Sequence, residues 1–404
     1  LELIHLDIKT AFLYGELEEE IWVQQPPGYA DGQPGLACKL VKSLYGLKQA
    51  PRVWYSRLKE ELELYGFKAS DADPSLFTLH TKQGKIYLLV YVDDILIAGQ
   101  DPQLVESVKN NLLTTFQGRN LGPVSSFLGM RVTRDRNQNF LKLDQETMIK
   151  NIIYDFNMEN AKTRDAPLSL SIKLTELGED LDTEKYPYAT LIGKLMFLSV
   201  TTRPDISYSV GALSRYMSRP KTTHWDVAKV VVRYLAATAD KGLTYRGSNT
   251  TPEGFCDSDY AGDGDTRRST TGYVFIMNNG AVSWCSKRQS TVAASTTEAE
   301  YMAAAAAIKE GLWIQKLMHS LDIPTASAIT IKCDNQGAIK LLKNPIYSAR
   351  SKHIDVIYHF AREHVLRGHV KIDYVATNKM TADVLTKALP PQMHKQCTTS
   401  MGIM

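Results

Sequence analysis

Between the apolar runs 86–90 and 95–98 the chain carries Tyr91-Val92-Asp93-Asp94. Two such runs around so short a polar insert read as neighbouring strands joined by a tight turn. Paired like charges at a hairpin tip have no structural use. Their repulsion raises one pKa sharply unless a cation lies between them. A hard divalent ion, Mg²⁺ or Mn²⁺, is the natural counter-charge because it takes oxygen ligands. An ordinary Asp-Asp turn has the same local sequence, so the decision rests on what surrounds it.

A third carboxylate lies near the start. Residues 3–9 alternate as a strand does, with Asp7 towards the end, Phe12 five residues on and Gly15 closing the turn. Asp7, Asp93 and Asp94 then converge from neighbouring strands, enough carboxylates to hold two metal ions for in-line phosphoryl transfer. Phe12 would lie under the sugar of an incoming nucleotide and block a 2′-hydroxyl; a core aromatic is the alternative at that spacing.

Three segments resemble, in order, the motifs of copia-type retrotransposon reverse transcriptases: 6–19 (LDIKTAFLYGELEE), 43–54 (SLYGLKQAPRVW) and Tyr91-Val92-Asp93-Asp94. The resemblance implies a right-hand polymerase palm with Asp7, Asp93 and Asp94 as catalytic metal ligands. It also implies nucleotide binding by Phe12, Tyr45, Gly46, Lys48, Gln49 and Arg52. Lys48 and Arg52 would touch phosphate or be solvated charges. Family members carry a basic fingers segment before the first motif, and this sequence starts six residues before Asp7. The expectation is a partial palm, and so an incomplete polymerase, within a fragment of a longer polyprotein.

Composition agrees with that class. Of 404 residues 44% are hydrophobic, enough for two or three cored domains, which excludes a disordered chain. The net charge of +3 permits nucleic-acid binding only through local basic surface. Five cysteines without a CxxC pair indicate neither a disulfide framework nor a zinc site, and suit a reducing compartment. No apolar run approaches the ~20 residues of a membrane span, and no signal peptide is visible.

Trp54, Leu58 and Leu62 have helical spacing, and a second helix over 102–116 takes Asp101 as its N-cap. Residues 127–132 and 140–143 read as a strand pair. The polar stretch 168–184 is the best linker. Helical segments follow at 188–200, 206–217 and 224–237. Their basic residues Lys194, Arg203, Arg215, Arg219 and Lys221 would track a duplex backbone or be solvated.

The second half has its own acids. Asp257 ends a strand before a Gly-rich loop, and 271–277 and 281–286 form a hairpin about Asn278-Asn279-Gly280. An Ala-rich helix capped by Thr296 or Thr297 carries Glu300, the strand 329–333 ends at Asp334, and a short helix begins near Asp383. Period-two alternation turns Cys256 and Cys333 away from the acids that follow them. The motifs 255–263 (FCDSDYAGD), 295–301 (STTEAEY), 333–336 (CDNQ) and 382–383 (AD) resemble the ribonuclease H domain of the same polyproteins. This implies Asp257, Glu300, Asp334 and Asp383 as catalytic metal ligands around two more Mg²⁺ or Mn²⁺ ions. Asp257 is preferred to Asp259 and Asp263 because it ends the strand directly. Glu300 is preferred to Glu298, a surface acid favoured by the helix dipole.

RNA differs from DNA by its 2′-hydroxyl, which Ser258, Thr297, Asn335 and Gln336 are placed to read. Lys287 and Gln289 would grip the hybrid or form an exposed turn. Four histidines, His353, His359, His364 and His369, crowd one segment without the spacing of a helical zinc pair. His353 resembles a family position that helps the leaving group depart; a solvated basic helix is the alternative.

The sequence thus predicts a multidomain chain of α/β and α+β class. A reverse transcriptase palm spans 1–135, a mainly helical thumb and connection 136–245, an α/β ribonuclease H-like domain 250–390, and a C-terminal tail 391–404. The resemblance implies RNA template, DNA primer, RNA–DNA hybrid and deoxynucleoside triphosphates as partners, no membrane, and an intracellular virus-like particle with access to the nucleus. A catalytically inactive remnant that at most binds nucleic acid is the alternative, and the survival of all seven acids weighs against it.

Overall fold

The structure, a computed structural model, describes residues 1–29, 35–247, 249–343 and 352–404, except for side chains at 352–358. It divides into two compact units, residues 1–124 with 316–322, and residues 125–315 with 323–404. Among the described residues no helix is long and apolar enough to cross a membrane.

The first unit runs β1 (Glu2–Ile8), β2 (Trp22–Gln24), β3 (Ala37–Lys39), α1 (Ala50–Tyr65), β4 (Lys68–Ala69), β5 (Leu76–Thr81), β6 (Gly84–Tyr91), β7 (Asp94–Gly99), α2 (Pro102–Thr115) and β8 (Gly118–Pro123). Six strands make one sheet in the order β4-β5-β6-β7-β1-β8. Alternating residues of its central strands (Leu6, Ile8, Ile86, Leu88, Ile95, Ile97) share a core with Trp54, Leu58 and Leu62 of α1 and Val105, Val108 and Leu112 of α2. Truncating one of these, as in Leu58→Ala, costs roughly 2–5 kcal/mol. The Asp101 carboxylate accepts from the Gln103 and Leu104 amides at 2.7 and 2.9 Å, so the predicted cap is in place.

The second unit opens with β9 (Ser126–Phe127), β10 (Met130–Asp135), β11 (Phe140–Asp144), α3 (Glu146–Asp155), α4 (Tyr188–Thr201), α5 (Ser207–Ser214), α6 (Thr222–Ala237) and β12 (Leu243–Arg246). The strands form a sheet β12-β11-β10-β9, and the helices bury Ile152, Leu195, Leu198, Val231 and Leu235 together. The basic residues of these helices do not form a free track. Arg203 is fully buried, forked onto Asp205 at 3.0 and 2.8 Å and bonded to the Thr238 carbonyl and hydroxyl. Lys194 pairs with Asp155, Arg215 with Asp263, and Arg219 and Lys221 both with Asp180.

The unit continues with β13 (Glu253–Asp259), β14 (Thr270–Met277), β15 (Gly280–Arg288), α7 (Thr296–Ser320), β16 (Ile329–Cys333), α8 (Gln336–Lys343), α9 (Lys352–Leu366), β17 (Val370–Tyr374) and α10 (Pro391–Ser400). The sheet order is β15-β14-β13-β16-β17. The first three strands are antiparallel, and β16 runs parallel to β13 and β17, the ribonuclease H-like arrangement. Asn278 and Asn279 take φ of 51° and 64°, as a tight hairpin turn requires. The cap of α7 falls one residue before the expected threonines. Ser295 Oγ accepts from the Glu298 amide at 3.2 Å, and Glu298 reaches back to the Ala294 amide at 2.7 Å. The Ser295 half is that of a capping box, while Glu298 accepts from the amide before the N-cap, and the pair gives Glu298 a structural role.

Candidate active sites

In the palm, Asp7 of β1 is the direct cross-strand partner of Asp94 at the start of β7. Asp93 occupies the two-residue turn after β6, where its carbonyl accepts from the Ile8 amide at 2.8 Å. Val92 sits at φ 56°, a left-handed conformation costing an L-residue roughly 1–2 kcal/mol. The Trp54 indole donates to the Val92 carbonyl at 2.7 Å and holds the tip in place. His5, two residues before Asp7 on the same strand face, places Nε2 2.7 Å from Asp94 Oδ1. The half-buried Phe12 ring lies 4.8 Å from that of Tyr45, which is exposed. Gly46 takes φ 95°, a conformation open to glycine. Lys48 and Arg52 are exposed, and Gln49 reaches Glu19 at 3.4 Å.

The second centre is buried. Asp257 lies within β13 rather than at its end, because pairing with β14 continues to Asp259 and Thr270. Glu300 is on the second turn of α7, Asp334 directly follows β16, and Asp383 lies in the 3₁₀ turn Thr381–Leu385. Asp257, Glu300 and Asp383 are 2%, 7% and 2% exposed. Lys387 places Nζ 2.9 Å from Asp383 Oδ1 and 3.4 Å from Asp257 Oδ2. The Thr386 hydroxyl donates to Asp257, and Thr377 Oγ1 donates to Asp334 Oδ2 at 2.8 Å. Glu300 Oε2 is buried and has no hydrogen-bond partner among the described residues.

The electrostatics follow from that burial. Burial first, then the nearby Asp257, Cys333 and Asp334, push the Glu300 carboxyl up to about 10. Burial and Asp257 push Asp383 up to about 7 against the pull of Lys387. Burial also raises Asp334, opposed by its bond from Thr377. Burial would lower Lys387, but Asp257 and Asp383 outweigh it and raise the ammonium. Lys387 thus bridges two acids, while the Glu300 oxygen has no hydrogen-bond partner among the described residues. An oxygen-rich donor set short of positive charge fits hard divalent ions.

One expectation about this centre is corrected. Cys333 Sγ and a carboxylate oxygen from each of Glu300 and Asp334 lie within 4.8 Å of one another, so the thiol does not turn away from the acids. The strand ends at Cys333; Asp334 has left it, and period-two alternation no longer governs where that side chain goes.

The neighbouring residues sort by burial. Asp263 is buried and accepts from Arg215 and Arg288 at 2.6 and 2.9 Å, a structural tie. Asp259 is half-buried, and burial raises its carboxyl. Ser258 and Gln289 face inward, with the Gln289 amide donating to Ser258, Thr271 and the Ala299 carbonyl at 3.4, 3.1 and 3.0 Å. Asn335 Oδ1 caps α8 through the Ala338 amide at 3.0 Å. Thr297 is half-buried, and Gln336 and Lys287 are exposed. The side chain of His353 lies outside the described residues. Lys387, Thr386, Thr377 and His5 were not singled out from sequence. Lys387 had a signal, four residues after Asp383, and so did His5, two before Asp7; the threonines had none.

A family profile described as Reverse transcriptase (RNA-dependent DNA polymerase) matches residues 2–170. The chain is 42% identical over 411 residues to the Retrovirus-related Pol polyprotein from transposon TNT 1-94 of Nicotiana tabacum, covering 100% of this chain and 31% of that polyprotein. It is 34% identical to the putative transposon Ty5-1 protein of Saccharomyces cerevisiae, covering 76% of this chain and 100% of that protein. The chain belongs to the copia-type retrotransposon Pol family. It is also 39% identical to the Pol polyprotein from transposon RE1 of Arabidopsis thaliana over 98% of its length and 27% of that polyprotein's. This Pol chain therefore spans about three tenths of the TNT 1-94 and RE1 polyproteins, at 31% and 27%. Its fold is similar to that of the foamy viral protease-reverse transcriptase solved with an RNA/DNA hybrid, with a TM-score of 0.50 at 12% identity, covering 93% of this chain and 44% of that one. The copia-type chain thus carries a reverse transcriptase region and a ribonuclease H-like domain.

Proposed function

We propose that this Pol chain is a phosphoryl-transfer enzyme with two sites. The ribonuclease centre cuts the RNA strand of an RNA–DNA hybrid, and the palm extends a DNA primer on an RNA template with deoxynucleoside triphosphates. The observation that carries the reading is the group of acids Asp257, Glu300, Asp334 and Asp383, three of them buried, with Lys387 as the paired cation among the described residues.

Asp257, Glu300, Asp334 and Asp383 would hold two Mg²⁺ or Mn²⁺ ions, whose chemistry is to neutralise charge at the scissile phosphate and to make an attacking nucleophile available at neutral pH. The protein supplies the rest. Thr386 and Thr377 fix the orientation of Asp257 and Asp334. In the metal-free centre the Asp383 carboxyl lies near 7, so an ion held there would displace a proton as pH falls through that range. Thr297, Asn335 and Gln336 are the residues for the 2′-hydroxyl, and exposed Lys287 is available to the hybrid backbone. In the palm, Asp7, Asp93 and Asp94 would hold the ions and His5 orients Asp94. Phe12, packed on Tyr45, guards the sugar, and Lys48 and Arg52 meet phosphate. Such a chain would work inside an intracellular virus-like particle.

The test is cleavage of a labelled RNA–DNA hybrid in Mg²⁺. Asp334→Asn should lose at least about 100-fold in rate, since disturbing a residue behind a ligand already costs roughly 10–100-fold. Full cleavage by Asp334→Asn would remove the assignment.

A further inference from the structure

One donor at the ribonuclease centre is unused by a carboxylate mechanism. Cys333 is fully buried at the end of β16, and its Sγ lies within 4.8 Å of carboxylate oxygens of Glu300 and Asp334, themselves as close to one another. Independently, Glu300 Oε2 is buried and, among the described residues, without a hydrogen-bond partner. A tetrahedral Zn²⁺ with bonds of roughly 2.0–2.3 Å sets its ligand atoms roughly 3.3–3.8 Å apart, so small side-chain rotations suffice to close the three donors on one ion. Mg²⁺ does not favour a thiolate, whereas Zn²⁺ and its heavier analogue Cd²⁺ do.

We propose that Cys333, Glu300 and Asp334 form a site for a thiophilic divalent ion, Zn²⁺ by chemistry, which competes with the hard ions of the ribonuclease centre. Binding forms a metal–sulfur bond and metal–oxygen bonds and releases the thiol proton and the Glu300 carboxyl proton to solvent, with no change of oxidation state. The competition rests on the ribonuclease reading; the binding does not.

The experiment titrates Cd²⁺ into the reduced, metal-free full chain and follows the ultraviolet sulfur-to-cadmium charge-transfer band. Cys38 and Cys285, the two thiols that are only half-buried, are replaced by Ser in every sample. The expected result is a saturable band that Cys333→Ser and Cys333→Ala both abolish, and that needs at least roughly tenfold more Cd²⁺ in Asp334→Asn. Circular dichroism matching the parent shows that each variant is folded. A band that survives both Cys333 variants, no band at all, or an unchanged affinity in Asp334→Asn would overturn the proposal. Zinc should then inhibit Mg²⁺-supported hybrid cleavage, and Cys333→Ser should need at least roughly tenfold more zinc to halve its own uninhibited rate. A normal cadmium band in a chain that never cleaves hybrid defeats the ribonuclease reading and the competition, not the site. Cleavage without a band defeats the site alone.

Discussion

Replacing Glu300 by Gln removes a carboxylate that the fold holds against its charge. With its carboxyl pushed up to about 10 by burial and by Asp257, Cys333 and Asp334, Glu300 is protonated in the folded, metal-free chain at pH 7. Once unfolded, with an ordinary value of 4.5, it is ionised. The folded state therefore binds the extra proton, and stability is present below 4.5 and falls as pH rises above it. Each pH unit between 4.5 and 7 removes about 1.4 kcal/mol, about 3 kcal/mol in all, and the result holds so long as the folded value stays above 7. Gln is close in shape to protonated Glu. Glu300→Gln should thus stabilise the metal-free chain by about 2–3 kcal/mol at pH 7 and by almost nothing at pH 4.5. Hydrogen exchange of the β13 and α7 amides at the two pH values reads this locally, even where other parts of the chain unfold separately. Hybrid cleavage should be lost in the same variant, and Mg²⁺ should protect the parent but not the variant. Destabilisation at pH 7, or an equal effect at both pH values, would refute the reasoning.

Three further outcomes follow from the same geometry. Because protons compete with metal for Asp383, whose carboxyl lies near 7, and for Glu300, the Mg²⁺ needed for half-maximal cleavage should rise as pH falls below about 7; a flat Mg²⁺ requirement from pH 8 to 6 would contradict this. Arg203→Ala leaves the buried Asp205 without its paired guanidinium, keeping the Tyr234 hydroxyl bond, and should cost roughly 3–5 kcal/mol in denaturant unfolding, whereas an apolar pair, Arg203→Met with Asp205→Leu, should recover most of it. Asp93→Asn should abolish primer extension and leave hybrid cleavage at the parent rate, measured on one preparation.

What was legible in the sequence is what local rules determine. Asp101 before Pro102 and the pair Asn278-Asn279 before Gly280 act through residues next to them, and both turned out as expected. The convergence of Asp7 with Asp94 was readable because each segment reads as a short strand with an acid at or beside its end, and β1 and β7 do pair with Asp7 opposite Asp94. Residues governed by distant partners were not. Arg203 looked like a surface cation because nothing nearby in sequence announces the Thr238 carbonyl that completes its burial. Cys333 was misplaced because alternation was extended one residue past the end of its strand. Ser295 was passed over for its threonine neighbours, although Glu298 three residues on gives the sequence signature of a helix start there. At the ribonuclease centre the acids were named from their motifs, but the bond from Thr386 to Asp257 spans 129 positions and leaves no local trace.

The measurement that tests the central claim most directly is anomalous diffraction from Mn²⁺-soaked crystals of the chain with an RNA–DNA hybrid. The expected map has two manganese peaks about 3.5–4 Å apart, bound among Asp257, Glu300, Asp334 and Asp383 with the RNA phosphate beside them. Peaks only at other acids, or none at these four with the hybrid in place, would contradict the assignment of this centre.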